Sequence, residues 1–132
     1  MRILIVDDEA LVASLLADAL RDQGHEAAVA HHGRLALERL REERYDAVFL
    51  DVMMPEMSGL EVLREIRATQ PALPVIVITG HGQEHELEEM RRLGVSEIIE
   101  KPFILTNLSQ ALGSFDPEGR LPAGGTAQET GR

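Results

Sequence analysis

The sequence predicts an α/β domain built on a parallel sheet with helices on both faces. Three observations carry this. Four short apolar runs, Ile3 to Val6, Ala47 to Leu50, Val75 to Ile78 and the weaker Ile98-Ile99, are continuous rather than alternating, as strands buried on both faces require. Stretches with helical spacing separate them. Glycine or proline then punctuates most of the helical stretches.

The elements follow in order. Ile3 to Val6 is the first strand, with charge at once behind it. Leu11, Val12, Leu15, Leu16, Ala19 and Leu20 form a wide apolar stripe on a first helix, stopped by Gly24. Glu26 to Ala30 is a further strand, poorer in bulky residues. Leu35, Leu37 and Leu40 mark a second helix, ahead of the strand Ala47 to Leu50. Leu60, Leu63 and Ile66 mark a third, ending before Pro71 and Pro74. After Val75 to Ile78, Leu87, Met90 and Leu93 mark a fourth, stopped by Gly94. After Ile98-Ile99, Leu105, Leu108 and Leu112 mark a fifth, stopped by Gly113. Strand and helix thus alternate five times. Ser114 to Arg132 carries Pro117, Gly119, Pro122, Gly124, Gly125 and Gly131 and almost no bulky apolar residue. The expected division is a folded domain over 1–113 and a disordered C-terminal tail or linker stub over 114–132.

Composition narrows the function classes. A chain of 132 residues with 44% hydrophobic residues suffices for one ordinary domain with a real core. No apolar run approaches the ~18 residues of a membrane span, and Ile3 to Val6 is too short for a signal-peptide core. Without cysteine there is neither a disulfide framework nor thiolate chemistry. A soluble cytoplasmic protein is expected. The net charge of −10 disfavours direct nucleic-acid binding, which needs cations against phosphates. It admits a hard cation held by clustered carboxylates. Of thirteen basic residues only Lys101 is a lysine, and arginine does not replace lysine at a tight point-charge site.

In open α/β sheets, sites form outside the carboxyl ends of the strands. There the sequence places Asp7, Asp8 and Glu9 after Val6, Asp51 after Leu50, Thr79 and Gly80 after Ile78, and Glu100, Lys101 and Pro102 after Ile99. Taken singly each is ordinary: an acidic pair is more often a helix cap, Thr79 a capping or turn residue, and Lys101-Pro102 common surface sequence. Joint placement at four successive strand ends is not. Adjacent carboxylates repel, and Mg²⁺ relieves that with oxygen ligands. Asp8 and Asp51 are the direct ligand candidates, with Asp7 through water and a backbone carbonyl just past Asp51. The Asp51 carboxylate then stands as a nucleophile, Lys101 as a second positive charge and Thr79 as a hydroxyl donor to phosphoryl oxygens.

The runs Ile3-Leu4-Ile5-Val6-Asp7-Asp8-Glu9, Leu50-Asp51-Val52-Met53-Met54-Pro55-Glu56-Met57-Ser58-Gly59, Ile78-Thr79-Gly80 and Lys101-Pro102-Phe103 resemble the receiver domain of bacterial two-component response regulators. The resemblance covers about residues 2 to 113. It implies the flavodoxin-like (βα)5 fold, a doubly wound five-stranded parallel sheet of order 2-1-3-4-5. It implies that Asp51 is the phosphoacceptor, that Asp7 and Asp8 hold Mg²⁺, and that the Met53 carbonyl binds the same metal. Thr79 matches the hydroxyl residue that moves toward the phosphoryl group, and Lys101 the lysine that pairs with it. A sensor histidine kinase or histidine phosphotransfer protein is the implied donor, docking on the first helix and the loop after the last strand. A phosphorylation-dependent dimer is compatible with it. The chain would then be no conventional turnover enzyme, although it supplies groups for its own phosphorylation and dephosphorylation. One departure stands out. Members often carry Tyr or Phe three residues before the lysine as a rotameric switch, and here that position is Ile98, with no ring or hydroxyl to swing. Gly80 and Gly82 flank His81, so that permissive loop is the candidate carrier of the response.

The alternative reading is a phosphorylation-independent interaction module, against which the full set Asp7, Asp8, Asp51, Thr79 and Lys101 argues. A phosphohydrolase would want a second acid two residues beyond the nucleophile, where Met53 stands. A flavin site would want a hydroxyl- or glycine-rich loop where Asp7 to Glu9 stand. His25, His31, His32 and His85 lack a zinc spacing, and His31-His32 is expected at the surface. His81 is read as a solvent-facing loop residue, with tuning of water access its functional alternative. Core burial is the ordinary expectation for Leu11 and Leu15, an apolar docking patch the alternative. No output domain fits in the last 19 residues, so a stand-alone receiver is favoured over a piece of a longer regulator.

Overall fold

The computed structural model describes residues 1–52, 54, 56–80 and 84–100, and of 84, 85 and 100 the backbone only. Met53, the loop around His81, Lys101, the fifth helix and the 114–132 segment lie outside the described residues. The described chain runs β1 (Arg2–Val6), α1 (Ala10–Asp22), β2 (Glu26–Ala30), α2 (Gly33–Glu42), β3 (Ala47–Asp51), α3 (Gly59–Thr69), β4 (Val75–Thr79), α4 (Glu84–Arg92) and β5 (Glu97–Glu100). The five strands form one parallel sheet of order β2-β1-β3-β4-β5.

Alternation of side chains along each strand divides the core into two layers. Ile3, Ile5, Ala47, Phe49, Ile76, Ile78 and Ile99 pack with Ala13, Leu16, Ala17, Ala19 and Leu20 of α1. Leu4, Val6, Val48, Leu50, Val75 and Val77 pack with side chains of α2, α3 and α4 on the other face. β3 and β4 are buried along their whole length, which is why they read as unbroken apolar runs. Asp51 and Thr79 are the last residues of those strands rather than the first of the loops, so their backbones are held in the sheet.

Helix ends follow local chemistry. Gly24 (φ 93°) and Gly94 (φ 80°) turn the chain out of α1 and α4 in the left-handed region that glycine tolerates. Ser58 and Glu61 make a capping box at the start of α3. His32 caps α2, its Nδ1 accepting the Leu35 N–H at 3.2 Å. Its neighbour His31 is exposed as expected. His25 instead is buried, its Nδ1 3.0 Å from the amino terminus.

One expectation is corrected. Leu11 is 73% exposed and Leu15 58%, so the apolar stripe of α1 is narrower than its sequence suggests. Its inner face is made by Ala13, Leu16, Ala17, Ala19 and Leu20. With Ala13, Leu16, Ala17 and Leu20 toward the sheet, helical spacing leaves Leu11 and Leu15 on the outward side. Ile98 lies in β5 opposite Val77, partly buried against the core.

Candidate functional site

The strand order decides where a site can form. From β1 the chain crosses to β2 on one side and then to β3 on the other. The connections therefore diverge above the carboxyl ends of β1 and β3, leaving a crevice there. Asp7 and Asp8 follow β1, and Asp51 ends β3.

Asp7 is 1% exposed. Its N–H donates to the Ala30 carbonyl at 3.1 Å, and its Oδ1 accepts the Glu9 N–H at 2.9 Å, which turns the chain toward α1. Asp8 is exposed, and Asp51 is 2% exposed. Ladder pairing of Asp51 with Ile78, and the Val52 N–H donating to Ile78 O at 3.1 Å, hold the strand end in place. One carboxylate oxygen from each of Asp7, Asp8 and Asp51 lies within 4.8 Å of the others. Three carboxylates so close repel one another, and a divalent cation between them would relieve the repulsion. The donor set is all hard oxygen, which fits Mg²⁺ or Ca²⁺ and not a soft metal.

Thr79 stands one residue beyond the β4 partner of Asp51. It is 2% exposed, and its Oγ1 has no hydrogen-bond partner among the described residues. A buried hydroxyl of this kind is uncommon and calls for a partner. Gly80 beside it takes no left-handed conformation, and a Cβ there would meet nothing within 4 Å. The permissiveness expected of it is not used in this state.

Four of the six residues singled out in the sequence are thus located: Asp7, Asp8 and Asp51 come together, and Thr79 ends the neighbouring strand. Met53 and Lys101 lie outside the described residues. Sequence reasoning passed over the cap beside the site. There the Glu61 N–H donates to Ser58 Oγ at 3.3 Å and the Ser58 N–H to Glu61 Oε1 at 2.9 Å. The Ser-x-x-Glu spacing was the available signal.

The profile of the response regulator receiver domain family matches residues 3–113. The chain belongs to that family. This receiver is 38% identical over 110 residues to the transcriptional regulatory protein ZraR of Escherichia coli (strain K12), covering 83% of this chain and 25% of that protein. It is 40% identical over 108 residues to the response regulator MprA of Mycobacterium avium (strain 104), covering 82% of this chain and 47% of the relative. The crystal structure of a response regulator receiver protein from Pseudomonas putida superposes with a TM-score of 0.81 at 31% identity, covering 85% of this chain and 94% of that one. The receiver spans between a quarter and a half of the length of these two curated relatives. The family places the receiver in two-component signalling, implies a kinase or phosphotransfer partner, and is not a conventional enzyme family. Among the described residues no helix is long and apolar enough to cross a membrane.

Proposed function

We propose that this receiver is a phosphorylation-dependent switch in which Asp51 accepts a phosphoryl group, with Mg²⁺, from a histidine kinase or histidine phosphotransfer protein. The observation that carries the reading is the convergence of Asp7, Asp8 and Asp51 within 4.8 Å, two of them buried. Asp8 and Asp51 would hold the metal directly and Asp7 through water, together with, beyond the described residues, the Met53 carbonyl. Bound there, Mg²⁺ supplies charge neutralisation for the incoming phosphoryl oxygens. An Asp51 carboxylate oxygen attacks the phosphorus of a phosphohistidine, the P–O bond forms, the P–N bond breaks and the imidazole leaves. Thr79 donates its hydroxyl to a phosphoryl oxygen, which satisfies the buried Oγ1. Lys101 pairs with another. Attack of water on the phosphorus later returns the carboxylate and inorganic phosphate.

The folded receiver spans 1–113, with 114–132 a tail or linker stub, and acts in the cytoplasm without binding nucleic acid itself. The exposed Leu11 and Leu15 on α1 lie just after the acidic turn, and there we place the docking of the phosphoryl donor. Intact-mass measurement with Mg²⁺ and acetyl phosphate tests the reading. Wild type gains one phosphoryl mass and Asp51→Asn gains none. Absence of any Mg²⁺-dependent adduct, from small donors or candidate kinases, would favour a phosphorylation-independent interaction module.

A further inference from the structure

Gly59 opens α3 directly against the backbone that carries Asp51. Its N–H donates to Val52 O at 3.0 Å. A Cβ at this position would lie 2.5 Å from the Asp51 carbonyl oxygen, 2.7 Å from Val52 Cα and 3.1 Å from the Asp51 carbonyl carbon. Ordinary contact begins at 3.4 Å, and all three neighbours are backbone atoms with no rotamer to yield. Gly33 offers the contrast. A Cβ there would meet Val62 Cγ2 at 2.6 Å and Met57 Sδ at 3.1 Å, both side-chain atoms.

Relief of the clash at Gly59 must come from α3 or from the end of β3. Helix α3 is pinned by the buried Leu60, Val62, Leu63 and Ile66, and the Ser58–Glu61 box ties its first turn. The end of β3 is held in the sheet as well, so the strain is shared, and the share that β3 takes falls on its last residue, Asp51. We propose that Gly59 is a positioning residue for the Asp51 carboxylate. Its bare Cα lets α3 rest on the carbonyl of Asp51, and this contact sets the spacing of Asp51 from Asp7 and Asp8 that a small divalent cation needs. The inference rests on the Mg²⁺ reading of the acidic cluster. Mg²⁺ requires near-octahedral oxygens at about 2.0–2.1 Å, whereas Ca²⁺ accepts a looser shell at about 2.3–2.6 Å. A displaced Asp51 therefore penalises Mg²⁺ more than Ca²⁺, a discrimination that lost stability alone would not produce.

The test is calorimetric titration of the full chain with Mg²⁺ and with Ca²⁺, at a temperature where each variant is folded. Gly59→Ala is expected to weaken Mg²⁺ binding by about 10-fold or more, as loss of a supporting contact does at metal sites, with a smaller loss for Ca²⁺. Leu40→Ala, a core truncation at the carboxyl end of α2, should lose stability and keep both affinities. Folded Gly59→Ala with wild-type Mg²⁺ affinity overturns the proposal while leaving the metal site standing. Equal losses for both ions, or a matching loss in Leu40→Ala, overturn it as well. Wild type that binds neither ion overturns the metal site and this inference together. Should Gly59→Ala not fold, Glu61→Ala loosens the same contact by removing half of the capping box. Weakened Mg²⁺ binding, with Ca²⁺ less affected, is expected there, and unchanged Mg²⁺ affinity overturns the proposal.

Discussion

The two sides of the site rim are held by different forces. Under Asp7 and Asp51, β1 and β3 run between two dry layers, with Ile3, Ile5 and Phe49 fully buried against α1 and Leu4, Val48 and Leu50 fully buried on the opposite face. Next to Thr79, α4 is a different kind of element. Of its described side chains only Met90 is fully buried, and polar ties join the α4 region to α3. Glu89 accepts from Arg64 at 2.7 and 2.9 Å. Arg67 donates to the carbonyls of Leu93 and Gly94 just past α4 and to that of Leu73 before β4. Apolar burial fixes an element over its whole contact area, whereas ties that reach water, as Arg64–Glu89 and Arg67–Gly94 do, exchange readily with it. The difference puts rigidity beneath the carboxylates, where a metal needs fixed geometry, and adjustable contacts beside the hydroxyl of Thr79. Among the described residues, Arg64 ties α4 itself to α3 through Glu89, and Arg67 ties the turn that follows α4.

The largest effect should come from Phe49→Ala. Truncating this fully buried ring is expected to cost about 3–5 kcal/mol in urea unfolding. A loss comparable to that of a surface change would mean that packing does not hold the acidic side. Arg67→Ala should follow, at about 1–3 kcal/mol, because it strips the donor from the partly buried Leu73 and Leu93 carbonyls. Burial lowers the Arg67 pKa, yet the guanidinium stays protonated at neutral pH. Amide exchange should quicken in α4 and stay slow in β1 and β3. Uniform acceleration across the sheet would break the contrast between the two sides.

Smaller still is the Arg64–Glu89 pair, exposed on both partners. A double-mutant cycle should return about 0.2–1 kcal/mol, falling as salt is added. A coupling well above that range would give α4 a firmer anchor than its exposure suggests. The smallest effect is a pH slope at the opposite end of β3. Tyr45 donates to Glu43 Oε1 at 2.9 Å, and burial first, then Glu43, raises its phenol pKa. A pKa raised in the folded state stabilises fully below the unfolded value of about 10 and loses that contribution as pH rises through the folded value. Stability should therefore decline above about pH 10. Tyr45→Phe should flatten the decline, and a slope that survives the substitution belongs to another group.

Much of the fold was legible in the sequence because it follows from short-range rules. Buried strands such as Val75 to Ile78 declare themselves by continuity, and Gly24 and Gly94 mark helix ends because a positive φ suits glycine. Even the weak run Glu26 to Ala30 is a strand with the expected bounds. The acids of the site were legible for a different reason: their place after apolar runs puts them on one rim of any parallel sheet. The exposure of Leu11 and Leu15 was not, since periodicity gives the angular spread of a stripe but not which edge of it meets the sheet. Nor was the burial of His25, whose Nδ1 meets the amino terminus of Met1, 24 residues away in sequence.

The sequence by itself determined the element order, the helix stops and which residue types stand at each strand end, all properties of neighbouring residues. Only the tertiary structure decided that oxygens of Asp7, Asp8 and Asp51 lie within 4.8 Å, that Gly59 rests on the carbonyl of Asp51, and that Arg67 bridges the ends of α3 and α4. Those are contacts between distant segments. Their distances are set by how the helices pack on the sheet, which no local pattern encodes.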